Sequence, residues 1–384
     1  MDRVHSKCAH FKHTGIADAV EIGRGGWMCI LLVLLVANYK AWQSEYTRTV
    51  FWMIFRDITD SVGHFSVLSL VSVNVLRWIL ISCISSQINS TIIYSTICAG
   101  IALEGVIYLY GPTGFMGVVF RYLSLSQLMK GISYLLTKRE IANIGVDDQK
   151  INKPKKKASL LRFIAYPTLC YQQEYPVSES ISVFMLVIYS LMLFPFSLLA
   201  YICLQIMCCS AASKFWSNVS FSSYVDVFIW SNAGWFSGFI FVFVAVYGLQ
   251  SEVTKFGDRV FFEAWWNATI SEYWRKWNCQ VYRWIKRHVH RDLIKRNITS
   301  RSSKIIIFMV SGAVHEYIIG DVLTLRGIGF LTMVMQIPLE SFIKLCNRLV
   351  KLDQHIAATV VFNVIGAPLL VLLSVMYKNT VSTE

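Results

Sequence analysis

The chain is 384 residues long, 55% hydrophobic and only 15% charged, with a mean hydropathy of +0.50. A soluble domain carries roughly 25% charge, so this composition excludes a disordered chain, a coiled coil and an ordinary water-soluble enzyme. Bilayers admit only helices and closed barrels as spanning structures. The apolar runs are long and continuous rather than alternating in pieces of about ten residues, which predicts an all-α polytopic membrane protein. The net charge of +13 is unevenly spread: two stretches, 137–162 and 251–304, hold twelve of the thirteen excess positive charges. That distribution fits cytoplasmic loops under the positive-inside rule and argues against nucleic acid as a partner. The ten cysteines are scattered with no CxxC pair, as expected of buried small residues. The first 25 residues are polar and mixed in charge, unlike a cleavable signal peptide.

A span needs about 20 mostly apolar residues. About nine stretches qualify: 27–42, 65–85, 91–110, 115–136, 181–209, 224–250, 304–323, 327–350 and 356–377. The resulting organisation is an N-terminal segment over 1–26 and four helices over 27–136. A basic linker follows over 137–180, then a core over 181–377 containing the 251–304 loop, and a tail over 378–384. Four spans precede the first basic loop and two more precede the second. The N-terminus and both loops then face the cytosol, and nine spans place the C-terminus in the lumen. The linker carries Lys153-Pro154-Lys155-Lys156-Lys157 without apolar periodicity and reads as flexible and solvated. In the second loop, 271–287 plots as an amphipathic helix. Trp274, Trp277, Val281, Trp284 and His288 share one side, opposite Arg275, Lys276, Arg283, Lys286 and Arg287. This predicts an interfacial helix lying in the headgroup plane, a role that would by itself explain the pattern.

Ionisable residues inside spans are costly and point to function. The sharpest case is Ser311-Gly312-Ala313-Val314-His315-Glu316-Tyr317. His315 follows Lys304 by eleven residues, which places it about 16 Å deep, near the midplane. Ser311 sits one turn earlier on the same face, and Gly312 leaves room beside it. Desolvation favours the neutral imidazole, the form a general base requires. A structural histidine bonded to a neighbouring helix is the alternative. Glu316 favours function, because packing alone gives little reason for a second ionisable group at that depth. No GxSxG elbow, Walker loop, GxGxxG fingerprint or HExxH helix occurs, and His288-Val289-His290 is a poor metal pair because its imidazoles diverge on a helix. No metal is expected.

At these residues the sequence resembles the membrane-bound O-acyltransferase superfamily, in particular its acyl-CoA-dependent branch of diacylglycerol and sterol acyltransferases. Pro167-Thr168-Leu169-Cys170-Tyr171-Gln172 is similar to the PTLCYQ segment of that branch. Phe256-Gly257-Asp258-Arg259 leads into Phe261-Phe262-Glu263-Ala264-Trp265-Trp266-Asn267, which resembles FYxDWWN. Trp277-Asn278 with Val281 through Trp284 resembles WNxPVHKW, His315-Glu316-Tyr317 matches a His-Glu-Tyr motif, and Gln336-Ile337-Pro338-Leu339 matches a QIPL block. The likeness covers 163–377 well and the first spans weakly. The Cys-Tyr-Gln and Gln-Ile-Pro-Leu endings lean toward the diacylglycerol enzymes. Departures stand at Phe262, Ala264, Gln280, Tyr282 and Ala367, the last just ahead of Pro368. The resemblance implies that the aspartate replaced by Ala264 braced the loop, and that the glutamine replaced by Ala367 touched the substrate.

The implied reaction is transfer of a fatty acyl group from acyl-CoA to diacylglycerol, with no cofactor, since acyl-CoA is a substrate. His315, Glu316, Asn278 and Gln336 are the expected catalytic residues. Gln172, Phe261, Trp265, Trp266, Asn267, Trp274, Trp277, Arg283, Arg287, His290, Lys304 and Ser311 are the expected substrate contacts, with the basic loop meeting the CoA phosphates. The family further implies the endoplasmic reticulum membrane and a homodimer or homotetramer. Sterol esterification, acylation of a polypeptide, an inactive paralogue and a non-enzymatic lipid or ion transporter remain alternatives. Transporters commonly show two symmetric halves, and no internal repeat is visible here.

Overall fold

The computed structural model describes residues 67–85, 89–143, 159–320, 322, 326–350 and 354–381. The N-terminal segment, the first expected span, the start of the second, residues 144–158 of the basic linker with its Lys153–Lys157 run, and the last three tail residues lie outside them. Regular structure among the described residues is helical, apart from one antiparallel bridge between Val177 and Phe256.

Three helices come first: α1 (Val67–Ile84), α2 (Ser90–Tyr110) and α3 (Gly114–Ala142). Asn89 starts α2 by accepting the Thr91 N–H, and Gly111 follows its end. α3 packs against both neighbours and runs past the expected end at residue 136 to Ala142. The short α4 (Leu160–Ala165) precedes the Pro167–Gln172 segment. α5 (Val183–Tyr201) continues through a π turn (Ile202–Met207) into α6 (Cys208–Ser217). α7 (Phe221–Phe239) continues likewise through Ile240–Val246 into α8 (Tyr247–Thr254). The loop that follows holds a 3-10 turn (Trp265–Asn267), α9 (Ile270–Lys276), α10 (Cys279–Ile285), a π turn (Lys286–His290) and α11 (Arg291–Lys295). The chain ends with α12 (Ser300–Ile319), α13 (Ile328–Val334), α14 (Gln336–Val350), α15 (Gln354–Thr359), a π turn (Val360–Gly366) and α16 (Ala367–Val381). π turns re-route backbone hydrogen bonds. In the last one the carbonyls of Asn363 and Val364 accept from Asn232 Nδ2 (2.9 Å) and the Tyr224 hydroxyl (2.6 Å), which staples α7 to the final helix.

Among the described residues six helical stretches are long and apolar enough to cross a membrane: Ser90–Tyr110, Val183–Ser217, Phe221–Thr254, Ser300–Ile319, Ile328–Leu349 and Gln354–Met376. They coincide with six of the nine expected spans. The apolar part of α1, Val71–Ile84, is shorter. α3 has the length but carries Arg121, Lys130, Lys138 and Arg139 along it, which lowers its hydropathy. The expected count of nine therefore reduces to six among the described residues, in a multi-pass membrane protein.

The amphipathic helix expected over 271–287 is corrected by the structure. Its helix breaks at Trp277–Asn278, where the Asn278 side chain leaves the first turn and accepts the Val281 N–H at 3.1 Å, starting α10 afresh. Its tryptophan side is covered by protein at Trp284 and His288. Trp284 packs on Leu169 and Cys170 and donates to the Met129 carbonyl (2.9 Å), and His288 meets Ser133 Oγ (2.7 Å). The supposed basic side is split. Arg275 and Lys286 are exposed, Arg283 pairs with Asp258 (3.0 Å), and Arg287 is buried, donating to the Tyr171 carbonyl (2.8 Å) and Thr137 Oγ1 (3.0 Å).

Candidate active site

One stripe of α12 sets up the site. Ser300, Lys304, Ile307, Phe308, Ser311 and His315 repeat at three- and four-residue spacing and all line one cavity of about 380 Å³. Fifteen residue-to-residue rises of the helix make that wall about 22 Å long, from Ser300 and Lys304 at one end to His315 at the other. α9 and α10 supply the opposite wall with Ser271, Trp274, Trp277, Asn278, Val281 and Tyr282, Lys286 and His290 add to the charged end, and Met333 of α13 closes the far end. The volume lies within the range of small-molecule sites.

The imidazole of His315 is oriented by its own helix. Nδ1 lies 2.7 Å from the Ser311 carbonyl oxygen, which can only accept, so Nδ1 carries the proton and donates. Nε2 is left as the nitrogen with the lone pair, on a residue that lines the cavity. The Ser311 hydroxyl stands 3.5 Å from Nδ1. Gly312 makes room for the next helix: a Cβ there would stand 2.9 Å from Phe330 Cδ2 and 3.0 Å from the Phe330 carbonyl oxygen. Gly329 permits the same approach from α13, where a Cβ would come within 3.1 Å of the Glu316 backbone.

Of the expected catalytic residues, His315 and Asn278 meet at the cavity and Glu316 and Gln336 do not line it. Glu316 turns to the start of α13. Its Oε1 accepts from Gly327 N–H (2.8 Å), and its Oε2 accepts from Gly329 N–H (3.0 Å) and Phe330 N–H (3.4 Å). A helix N-terminus presents unsatisfied N–H groups and positive potential, so this carboxylate caps a neighbouring helix. Gln336 donates to the Thr332 carbonyl at 3.2 Å, and its buried Oε1 has no partner among the described residues. Asn278 spends Oδ1 on capping α10, which leaves its Nδ2 as the donor available to a ligand. The buried indole N–H of Trp274, which has no partner among the described residues, is a second donor on the cavity wall.

Among the expected substrate contacts, Trp274, Trp277, His290, Lys304 and Ser311 line the cavity. His290 is held by buried Ser303, its Nδ1 2.8 Å from Oγ, and Lys304 is ion-paired with Glu340. Phe261, Trp265, Gln172, Arg283 and Arg287 do not line the cavity and are engaged elsewhere in the protein. Trp265 packs among Phe236, Phe239 and Tyr273, and Phe261 packs on Tyr247. Gln172 is buried in the segment that Arg287 and Ser133 anchor, its N–H donating to the Tyr175 hydroxyl at 2.7 Å. Trp266 lies against Trp265, off the cavity, and the Asn267 side chain lies outside the described ones. Two backbone hydrogen bonds, Glu263 N–H to Lys276 O (2.8 Å) and Cys279 N–H to Phe261 O (2.9 Å), brace this loop next to the exposed Ala264.

Burial pushes the Cys170 thiol up to about 12 and the Cys279 thiol to about 11, so neither is a thiolate nucleophile. His288 is driven down to about 3 by burial and then by Arg287 and Arg291, and stays neutral. Among the described residues no group of three His, Cys, Asp or Glu is placed to hold a metal. Sequence reasoning missed Ser300, Ile307, Phe308, Tyr282, Lys286 as a wall residue, and Met333. For the first three the signal was available, since each is in phase with His315 on α12.

Residues 158–377, more than half of the chain, match the family described as MBOAT, membrane-bound O-acyltransferase family. The chain is also similar to diacylglycerol O-acyltransferase 1-1 of Oryza sativa subsp. japonica, 25% identical over 297 residues, 72% of this chain and 54% of that protein. Diacylglycerol O-acyltransferase 1 of Homo sapiens is 27% identical over 225 residues, 56% of this chain and 46% of that protein. Diacylglycerol O-acyltransferase 1C of Glycine max is 30% identical over 196 residues, 47% of this chain and 37% of that protein. The matches span about half the length of these relatives or less.

Proposed function

Because the chain belongs to the membrane-bound O-acyltransferase family, we propose that it transfers a fatty acyl group from acyl-CoA to the free hydroxyl of diacylglycerol, forming triacylglycerol. The choice of acceptor is supported by the relatives named above, all diacylglycerol O-acyltransferases. The observation that carries the mechanism is the His315 tether: Nδ1 bound to the Ser311 carbonyl, Nε2 free at the inner end of a cavity whose outer end is basic.

In this reading Nε2 takes the proton of the acceptor hydroxyl as its oxygen attacks the thioester carbonyl carbon. The new C–O bond forms, the C–S bond breaks, and the imidazolium returns a proton to the departing CoA thiolate. The positive charge on the ring is met by the carbonyl that already accepts from Nδ1. Asn278 Nδ2 and the Trp274 indole N–H are cavity-wall donors for the developing oxyanion, a contact worth about 3 kcal/mol of barrier in related chemistry. Lys286, Lys304 and Arg275 receive the CoA phosphates at the rim, on the cytosolic face of the endoplasmic reticulum membrane. The lipid acceptor reaches His315 laterally, and water stays out of the thioester's path. Glu316 supports the site as a cap on α13 rather than as a reacting group. The working form is a homodimer or homotetramer.

The test is transfer of label from oleoyl-CoA to a panel of diacylglycerol, monoacylglycerol, cholesterol and fatty alcohol by membranes containing the protein, with His315→Ala alongside. Label in triacylglycerol that vanishes in the variant is the expected result. Label in sterol ester would overturn the acceptor, and appreciable transfer by the variant would overturn the base.

A further inference from the structure

The membrane helices bury an ion pair that the reaction does not use. Arg77 of α1 and Glu104 of α2 are 7% and 5% exposed and lie 2.5 Å apart. Arg77 also donates to the Ser124 carbonyl (2.7 Å), and the Ser124 hydroxyl donates to Glu104 Oε1 (2.9 Å). The second carboxylate oxygen, Oε2, accepts from the Tyr317 hydroxyl of α12. Beside it the fully buried Arg121 of α3 reaches the Ile318 and Tyr317 carbonyls (3.4 and 3.5 Å) and the Pro112 carbonyl (3.1 Å). All four residues, Arg77, Glu104, Arg121 and Ser124, precede the stretch matched by the family.

Buried ion pairs give little net stability, and their best-attested use is to fix register. Here the register concerned is that of the helix bearing His315. Tyr317 follows His315 by two residues, so the two side chains leave α12 about 200° apart. Pinning Tyr317 on one side therefore directs His315 to the opposite side, where the cavity lies. An apolar contact would tolerate a range of rotations, whereas a hydroxyl aimed at one carboxylate oxygen is directional. A rotation of about 20° moves a group at the 5–6 Å radius of helix side chains by about 2 Å. A misplacement of about 1 Å can cost roughly a hundredfold in rate.

We propose that Glu104 is a positioning residue for acyl transfer: through the Tyr317 hydroxyl it fixes the rotation of α12 that turns His315 into the cavity. This inference rests on His315 being the base. The experiment uses the full chain purified in lipid nanodiscs and measures kcat and the KM for oleoyl-CoA. The samples are the unaltered protein, Tyr317→Phe, Glu104→Gln, the double variant and His315→Ala. Tyr317→Phe leaves the ion pair intact and removes only the directional contact. The expected result is a kcat at least tenfold lower in each single variant, a KM within about twofold of the unaltered protein, and a double variant no worse than Glu104→Gln alone. Full kcat in Tyr317→Phe, with His315→Ala inactive, overturns the positioning role alone. A shared fall in kcat and rise in KM, or loss of monodisperse Tyr317→Phe, makes the contact a fold element only and also overturns it. No transfer by the unaltered protein, or transfer by His315→Ala, overturns the functional reading and this inference with it.

Discussion

Glu316 adjoins the proposed base in sequence, and the structure gives it a different task that can be measured. Glu316→Ala removes an acceptor from three backbone N–H groups at the start of α13, those of Gly327, Gly329 and Phe330. A lost hydrogen bond of this kind costs about 1 kcal/mol. The 3.4 Å contact counts for less than the others and the charge is partly screened, so the total is about 2–3 kcal/mol. In a protein of this size that lowers the unfolding midpoint by roughly 2–4 °C. Glu316→Gln keeps one oxygen for either Gly327 or the Gly329–Phe330 pair and retains roughly half of the stabilisation. The assay is thermal unfolding of nanodisc-embedded protein by tryptophan fluorescence, with kcat taken well below the transition. A graded loss of midpoint from wild type through Gln to Ala is expected, with the residual folded protein retaining a measurable fraction of kcat. An unchanged midpoint with abolished kcat in Glu316→Gln would refute the cap and return Glu316 to the chemistry.

Gly312→Ala drives a Cβ to 2.9 Å from the Phe330 ring, an overpacking that costs about 1–3 kcal/mol; a wild-type midpoint would show that α12 and α13 are not in the described contact. Lys286→Gln with Lys304→Gln should raise the KM for acyl-CoA about three- to tenfold at low ionic strength, since each exposed charge contributes modestly. The effect should shrink in 1 M salt, where the screening length is about 3 Å. A KM unmoved at low salt would leave these lysines without a role at the rim. His288 makes stability depend on pH. Its folded value of about 3 lies below the roughly 6.5 of an unfolded histidine, so the unfolded chain binds more protons between those limits. Stability is therefore complete above about pH 6.5 and falls as pH drops toward 3, by about 2 kcal/mol at pH 5. His288→Gln, which keeps an acceptor for Ser133, should lose less of its midpoint between pH 7.5 and 5 than the unaltered protein does; equal losses would contradict the assignment.

The helices and the base were legible because each rests on a local signal. A bilayer demands long apolar runs, and His315 interrupts one. The α12 stripe of Lys304, Ser311 and His315 could be read from helical phase alone. Asn278 shows where that reasoning ends. A 3.6-residue period carries across a one-residue break without losing phase, so the pattern over 271–287 looked continuous although the Asn278 side chain stops one helix and starts another. Covering of the tryptophan face was equally invisible, because Trp284 finds the Met129 carbonyl 155 residues away in sequence. The aromatic motif around Trp265 was placed in the site by resemblance, whereas its side chain packs against Phe236 and Phe239. A motif marks residues that matter and does not say whether they touch substrate or hold the wall that does.

The charge of the second loop shows the same ambiguity resolved by geometry. Its excess of positive charge was explicable either by topology or by attraction of a polyanion, and composition could not divide the two. Arg283 and Arg287 turn inward, to Asp258 and to the Tyr171 carbonyl and Thr137 hydroxyl, where removing them would strip contacts from a buried carboxylate and from buried acceptors. Arg275, Lys286 and Lys304 stay at the cavity rim. Lys304 is the informative one, because it sits between two kinds of anion. Glu340 holds it now, together with Lys344 and the Ser271 hydroxyl (2.5 Å), and that carboxylate joins α9, α12 and α14 at one point. A phosphate entering the rim competes with Glu340 for Lys304 while Lys344 and Ser271 keep the carboxylate satisfied, so the wall can yield a cation to a ligand without leaving a bare charge behind. Neutralising Glu340 should therefore loosen the wall itself, whereas neutralising Lys304 should weaken only the capture of acyl-CoA.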